Sequence, residues 1–437
     1  MRVLLLADSC NPDWPSLPIV GYKLAKAIAK LAAVTLVTQV RNRPNILRDG
    51  LGSATPVFLD TERVAAPLHK LARLIRGSDQ KGWTIQMAMD YPAYLAFEYA
   101  AWRMFKQRLR DGEFDVVHRI TPMSPTLPSP MAKWSPVPFI VGPLNGNLPW
   151  PAAFSEERRR EKEGLSRLRK LHKLMPYSRA MYRYSAAIMA AFDHTMADLP
   201  ASASGKAINV PEVGIDPELF SAGQRVESDR ITILYAGRLV PYKLPEVLLE
   251  AFAASSRLQQ HRLVVVGDGP DRQRLQQMVA DSGLSHCVEM LGQQNQATVG
   301  RLMREAEIFA FPSIRELGAG VVVEAMACGM ACVVVDYGGP ATLIGADRGV
   351  KVPMGTRGQL IDGFKLALEA LVSDMPRVRA LGANAHRHAM TYYTWDRKAK
   401  KTLDTYEWVL GRRESRPVFW QDSASFTDLA PALETTV

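Results

Sequence analysis

From Ile231 to Pro340 short apolar runs alternate with stretches of helical spacing, and this alternation constrains the fold more than any other feature of the chain. Ile231–Tyr235, Arg262–Val266, Val288–Leu291, Ile308–Phe311 and Ala331–Val335 read as strands. Between them, Pro245 to Ser255, Asp271 to Asp281 and Ala297 to Glu305 read as helices. Strands this short and this uniformly apolar suit a parallel sheet covered on both faces. The first half repeats the pattern less clearly. Arg2–Ala7, Val34–Val40, Val57–Leu59, Phe114–His118, Pro138–Val141, His194–Met196 and Ile208–Pro211 read as strands, with helices over Gly21–Leu31 and Pro92–Arg110. At 437 residues the chain exceeds a single core, and the polar stretch Ser221–Arg230 reads as a linker. The expected architecture is α/β: two Rossmann-like doubly wound domains, residues 1–222 and 223–393, facing each other across a crevice. Thr394–Leu410 reads as a final helix, and the polar tail 414–437 is expected to be mobile.

Charge narrows the class of partner. The net charge of +10 and pI of about 9.4 suggest an anionic partner: a nucleotide, a nucleic acid or an anionic membrane. No interleaving of aromatic with basic residues points to nucleic acid. The four cysteines form no CxxC pair and have no histidine cluster beside them, so neither a disulfide framework nor a zinc site is expected. A reducing cytoplasm is the simpler setting. The opening MRVLLLADS is too short for a signal-peptide core, and no apolar stretch is long enough to span a membrane. Residues 154–183 are rich in arginine and lysine, with Leu165, Leu168, Leu171 and Leu174 at helical spacing. The stretch reads either as an ordinary surface helix or as a basic amphipathic helix making weak contact with an anionic membrane surface.

In a doubly wound sheet ligands bind beyond the carboxyl ends of the strands, so residues at those ends carry the functional argument. Tyr235–Lys243, YAGRLVPYK, places Gly237, Arg238 and Lys243 in one such loop. The arginine fork and the lysine point charge both suit phosphate. Phe311–Pro340 places Glu316 on a second loop and Glu324 on the helix that follows, with Leu317 and Gly318 between them. A helix beginning near Gly318 or Ala319 leaves N–H groups free for an anion, while the two carboxylates suit neutral hydroxyls. A phosphate flanked by hydroxyl-bearing groups describes a nucleotide sugar. A solvated loop glutamate and a helix glutamate complementing the macrodipole would look the same in sequence. VVVGDGP (264–270) reads as a tight turn capped by Asp271, and Gly292–Gln293 ends a strand where backbone groups meet a nucleobase. In the first half the walls are the loop Ser9–Gly21, the loop 142–150 with Asn145, and His118, expected to point into the crevice just past its strand. A lone histidine is more often structural.

Together AGRLVPYK, VVVGDGP, LGQ and FPSIRELGAGVVVEAMACGMACVVVDYGGP resemble the retaining glycosyltransferases of GT-B type, family 4 (glycosyl transferases group 1). NVPEVGIDPELF (209–220) is similar to the family's segment before the linker, and YTWDRKAKKTLDTYEWVL (393–410) to its closing helix. The likeness is dense over 209–410 and sparser before it. It implies transfer of a hexosyl group from a nucleotide-diphospho-sugar to a glycan or lipid-linked acceptor with retention of configuration, requiring no metal and no cofactor. It also implies a closing helix, 394–413, crossing back onto the first domain. Carried over by position, Arg238 and Lys243 hold the diphosphate and Glu316 meets the donor-sugar hydroxyls beside the Leu317 and Gly318 amides. Glu324 binds the ribose, and His118 lies near the reacting sugar. Gly21 and Asn145 fall on the acceptor side. The expected setting is cytoplasmic, peripheral on the inner face of the membrane. A nucleotide-sugar epimerase and a non-catalytic nucleotide-sugar or glycan binder are the alternatives. Three positions depart from the family pattern: Leu244 follows the lysine in place of glycine, Gly21 stands alone for a Gly-Gly, and Met330-Ala331 replaces x-Pro after Gly329.

Overall fold

The computed structural model describes residues 1–62, 83–161, 173–223, 225, 228 and 230–420, with 83–90 as backbone alone. The polar tail from 421 onward, residues 162–172 of the basic segment and part of the linker therefore lie outside the described residues.

The strands are β1 (Arg2–Ala7), β2 (Ala33–Gln39), β3 (Thr55–Leu59), β4 (Val116–Thr121), β5 (Phe139–Leu144), β6 (Ala187–Ala190) and β7 (Ala207–Asn209) in the first half. In the second half they are β8 (Thr232–Ala236), β9 (Arg262–Val266), β10 (Val288–Gly292), β11 (Ile308–Phe311), β12 (Ala331–Val335) and β13 (Gly349–Val352). They form a seven-stranded sheet, β3-β2-β1-β4-β5-β6-β7, and a six-stranded sheet, β10-β9-β8-β11-β12-β13. Every pairing is parallel. Parallel strands need crossover connections, and helices burying their apolar faces on each sheet supply them. β11 and β12 are buried along their whole length, as their unbroken apolar runs require. Strand order reverses between β1 and β4 and again between β8 and β11. The loops leaving those four strands flank the topological switch points at which this architecture opens a crevice.

Among the strands, one reading is corrected and one strand is added, and the helices Arg357–Val372 and Met375–Tyr392 were not read from the sequence. His194–Met196 is not a strand: it lies in the helix Phe192–Asp198, with Phe192 and Thr195 buried three residues apart. The strand is the preceding AIMA, Ala187–Ala190, fully buried. Its alanines carry little β propensity, so its place in the sheet is set by burial. The edge strand β13, four residues with an exposed Lys351, is an addition to the strands read from sequence.

The last helix, Trp395–Val409, packs against the Leu17–Ala29 helix of the first half, and so the chain crosses back. Thr394 caps it by accepting from the Arg397 amide, and Ile215 pairs with Thr394 as an isolated parallel bridge. The Trp395 ring lies flat on Gly214, where no side chain would fit. Lys30 and Asp396 add an exposed ion pair at 2.7 Å. Among the described residues no helix is long and apolar enough to cross a membrane.

Candidate functional site

At the second switch point β8 runs into the loop Gly237–Lys243 and β11 into the loop Pro312–Ala319. A short 3-10 turn, Pro241–Lys243, brings the lysine back over the sheet end. Lys243 Nζ lies 2.5 Å from Glu316 Oε1, and the two side chains are only 10% and 15% exposed. Ser313 Oγ donates to the same carboxylate oxygen at 3.1 Å, and the ammonium sits 4.8 Å from the centre of the Phe311 ring. Arg238 donates from Nη2 to the Tyr242 hydroxyl at 2.8 Å, and its carbonyl accepts from the Tyr235 hydroxyl at 3.1 Å. Lys243 and Glu316, 73 residues apart, meet because β8 and β11 are neighbours in the sheet.

The turn after the lysine carries strain. Leu244, standing where the family has glycine, adopts a left-handed conformation at φ 45° and ψ 45° while fully buried. Such backbone costs a branched residue about 1–3 kcal/mol and is held only by its surroundings.

The VVVGDGP glycines serve the same loop. Gly267 sits at φ +139°, and a Cβ there would collide with the Gly237 carbonyl, so the loops after β8 and β9 stack backbone on backbone. Leu239 N–H donates to the Asp268 carbonyl at 2.9 Å. Asp271, read from the sequence as the cap of this turn, stands just before the helix Arg272–Asp281. No side-chain cap bond forms there, and its carboxylate instead pairs with Arg160 at 2.7 Å and Arg274 at 3.2 Å. Arg160 comes from the helix Ser155–Arg160, so this end of the basic segment is turned toward the second half. Gly292 lies beside the Arg272 guanidinium, and Gln293 is exposed.

The helix after Glu316 spans Gly320–Ala327, behind Ala319 at φ 53° with no side-chain cap. Glu324 is half-buried within it. Burial raises its carboxyl to about 7, with Lys23 opposing the shift. Lys23 stands on the Leu17–Ala29 helix of the first half, two residues beyond Gly21, which packs against the Ser9 carbonyl. Its Nζ lies 3.9 Å from Asp216. Glu324 is thus influenced across the crevice by a cation that sequence reasoning did not single out.

The loop 142–150 reaches the second half. Tyr337 donates to the Pro149 carbonyl at 3.0 Å, and the Arg315 guanidinium lies 5.0 Å from the Trp150 ring. Asn145, expected to line the acceptor side, is buried and donates to Glu212.

His118 is the clear correction. It lies inside β4 rather than past it, is fully buried, and uses both ring nitrogens. Nε2 stands 2.7 Å from the Gly142 carbonyl and Nδ1 2.7 Å from the Tyr406 hydroxyl. A carbonyl can only accept, so Nε2 carries the proton and Nδ1 accepts from Tyr406. Burial lowers the imidazole to about 4; the Gly142 bond opposes this and Arg119 adds to it. This histidine ties the closing helix to the first sheet and has no ring nitrogen left for a sugar. Nothing in DVVH could reveal a partner 288 residues away.

Among the described residues no group of three or more His, Cys, Asp or Glu is placed to hold a metal ion.

Residues 218–388 match the family model described as glycosyl transferases group 1. A D-inositol 3-phosphate glycosyltransferase of Stackebrandtia nassauensis is 32% identical over 233 residues, which cover 48% of this chain and 51% of the relative. A glycosyltransferase of Methanocaldococcus jannaschii, described as uncharacterized, is 30% identical over 184 residues, covering 42% and 46%. The chain spans about half the length of the curated relatives it matches. Among solved structures, Anabaena HepE in complex with UDP and glucose superposes with a TM-score of 0.56 at 16% identity, covering 93% of this chain and 99% of that one. A sucrose-phosphate synthase from Thermosynechococcus elongatus gives 0.60 at 16% identity, covering 94% and 100%. At such low identity the likeness concerns the fold, which is that of the GT-B glycosyltransferases.

Proposed function

We propose that the protein is a retaining glycosyltransferase that moves a hexosyl group from a nucleotide-diphospho-sugar to a glycan or lipid-linked acceptor. The observation that carries this reading is the Lys243–Glu316 pair at the second switch point, with Arg238 on the same loop. A lysine ammonium can pair with a second anion besides Glu316, and the nearby helix N-terminus, which has no side-chain cap, offers its first N–H groups. Arg238 and Lys243 would hold the diphosphate and stabilise the charge that develops as it leaves. Two fixed cations and a helix dipole supply the positive charge that a divalent ion would otherwise bring, so no metal is required. Glu316 would accept from donor-sugar hydroxyls and Glu324 from the ribose. The glycosyl transferases group 1 match over 218–388 and the UDP and glucose carried by HepE support a nucleotide-sugar donor.

In this reading residues 1–222 form the acceptor side, 223–393 the donor side, and 394–413 the element that joins them. The basic stretch 154–183 would make weak contact with the cytoplasmic face of a membrane, where a lipid-linked acceptor would be met. His118 has no part in the chemistry.

The test is a thermal-shift screen of nucleotide diphospho-sugars, since a ligand that binds only the native state raises apparent stability. One of them is expected to raise the melting temperature, and Lys243→Ala and Glu324→Ala are expected to abolish that rise while remaining folded. Unchanged donor affinity in both variants would sink the site assignment. Products formed with no acceptor present would favour an epimerase. Donor binding with neither transfer nor hydrolysis across a broad acceptor panel would favour a non-catalytic binder.

A further inference from the structure

Glu212 lies in the connection that leaves β7, where the chain passes from the first sheet toward the second. It is buried, 6% exposed, and three segments distant in sequence converge on it. From the first half, Asn145 Nδ2 donates to its Oε1. From the second half, Gly318 packs on the same oxygen so closely that a Cβ there would collide with Glu212 Oε1 and press on Val213. From the closing helix comes Lys398, 1% exposed, whose ammonium donates to the Pro211 carbonyl next door. Glu212 Oε2 is buried with no hydrogen-bond partner among the described residues.

The Asn145 end is itself fixed. With its amide nitrogen given to Glu212, its oxygen accepts from His194 Nε2 at 3.1 Å, and the adjacent Gly146 N–H donates to Thr195 Oγ1 at 3.1 Å. A buried carboxylate with one unused oxygen is unfavourable and persists only when its surroundings hold it. Here they also place it against the backbone of the loop that carries Glu316. Resting on the glycosyltransferase reading above, we propose that Glu212 is a positioning residue that locks the donor loop 316–318 to the acceptor-side loop at Asn145. The geometry of the donor side is then set partly by the connection between the sheets, and the two walls of the crevice are held in register by one side chain. Burial pushes the Glu212 carboxyl up, and it pushes the Lys398 ammonium down to about 7.

Two measurements test this. In ligand-free protein, hydrogen exchange is followed in Glu212→Gln, which keeps the side-chain volume and an acceptor for Asn145, and in Glu212→Ala. Glu212→Ala is expected to speed exchange at 316–320 and 145–148 while β9 and β12 stay protected, and Glu212→Gln to restore most of the protection. Unchanged exchange at both loops, or a uniform rise across both sheets, would overturn the proposal. The second measurement is a double-mutant cycle on UDP-glucose affinity. Gly318→Ala is expected to weaken binding about tenfold or more by colliding with Glu212, and adding Glu212→Ala to recover part of that loss. Effects that simply multiply would show that the contact is not transmitted. Should the unaltered protein fail to bind UDP-glucose, the cycle is run on the donor that the thermal-shift screen identifies; should none of the nucleotide diphospho-sugars bind, the donor reading is what has failed, and the exchange arm still decides the positioning role.

Discussion

Glu324 and His118 show how burial sets what a titratable residue can do. For Glu324 the folded-state carboxyl is raised by burial to about 7, above the ordinary value of 4.5, so the native state keeps a proton that the unfolded chain has released. Native stability therefore falls as pH rises from about 4.5 to about 7 and levels off above that. Glu324→Gln should flatten this slope in the melting temperature of the ligand-free protein. Donor binding through an ionised Glu324 has the opposite trend: UDP-glucose affinity should strengthen as pH rises through neutrality and lose that dependence in Glu324→Gln. For His118, removing the Tyr406 hydroxyl leaves a buried ring nitrogen without its donor. Tyr406→Phe should cost about 1–3 kcal/mol in urea unfolding and leave donor affinity unchanged. A large loss of donor affinity at full stability would return His118 to the site.

The elements explain which parts of this were legible in the chain. β1, β9, β11 and β12 are short, apolar and buried, and their ranges read from sequence coincide with the structure. β6 escaped because AIMA advertises neither strand nor helix, while the β-branched and aromatic residues that follow belong to a helix. The glycines of VVVGDGP were read as a tight turn, but their reason is a neighbouring loop that no local pattern encodes. Gly267→Ala tests that reason. The collision with Gly237 should cost about 2 kcal/mol or more and displace the loop carrying Arg238 and Lys243. Denaturant unfolding and UDP-glucose affinity should therefore fall together, whereas Gly283→Ala, at a turn with open space around it, should leave donor affinity alone.

At the scale of the whole molecule, the net charge of +10 and the basic stretch 154–183 lead to a prediction about surfaces. The protein should sediment with vesicles containing phosphatidylglycerol at low salt and be released as salt rises, because the attraction of exposed charges is screened. No sedimentation at low salt would remove the membrane from the proposal. By itself the sequence determined the two βα halves, a final helix, the strand-end loops that carry Arg238, Lys243 and Glu316, and the helix that carries Glu324. These follow from local apolar periodicity and turn residues, which act over a few positions of the chain. Only the tertiary structure decided which of those side chains face a common space. Lys243 and Glu316 meet because β8 and β11 are neighbours in the sheet, and Glu324 answers to Lys23 from the other half. His118 is withdrawn from the crevice because the closing helix returns to place Tyr406 against it. Side-chain partners separated by up to 366 residues are chosen by packing, and packing is settled only when the two halves and the closing helix come together.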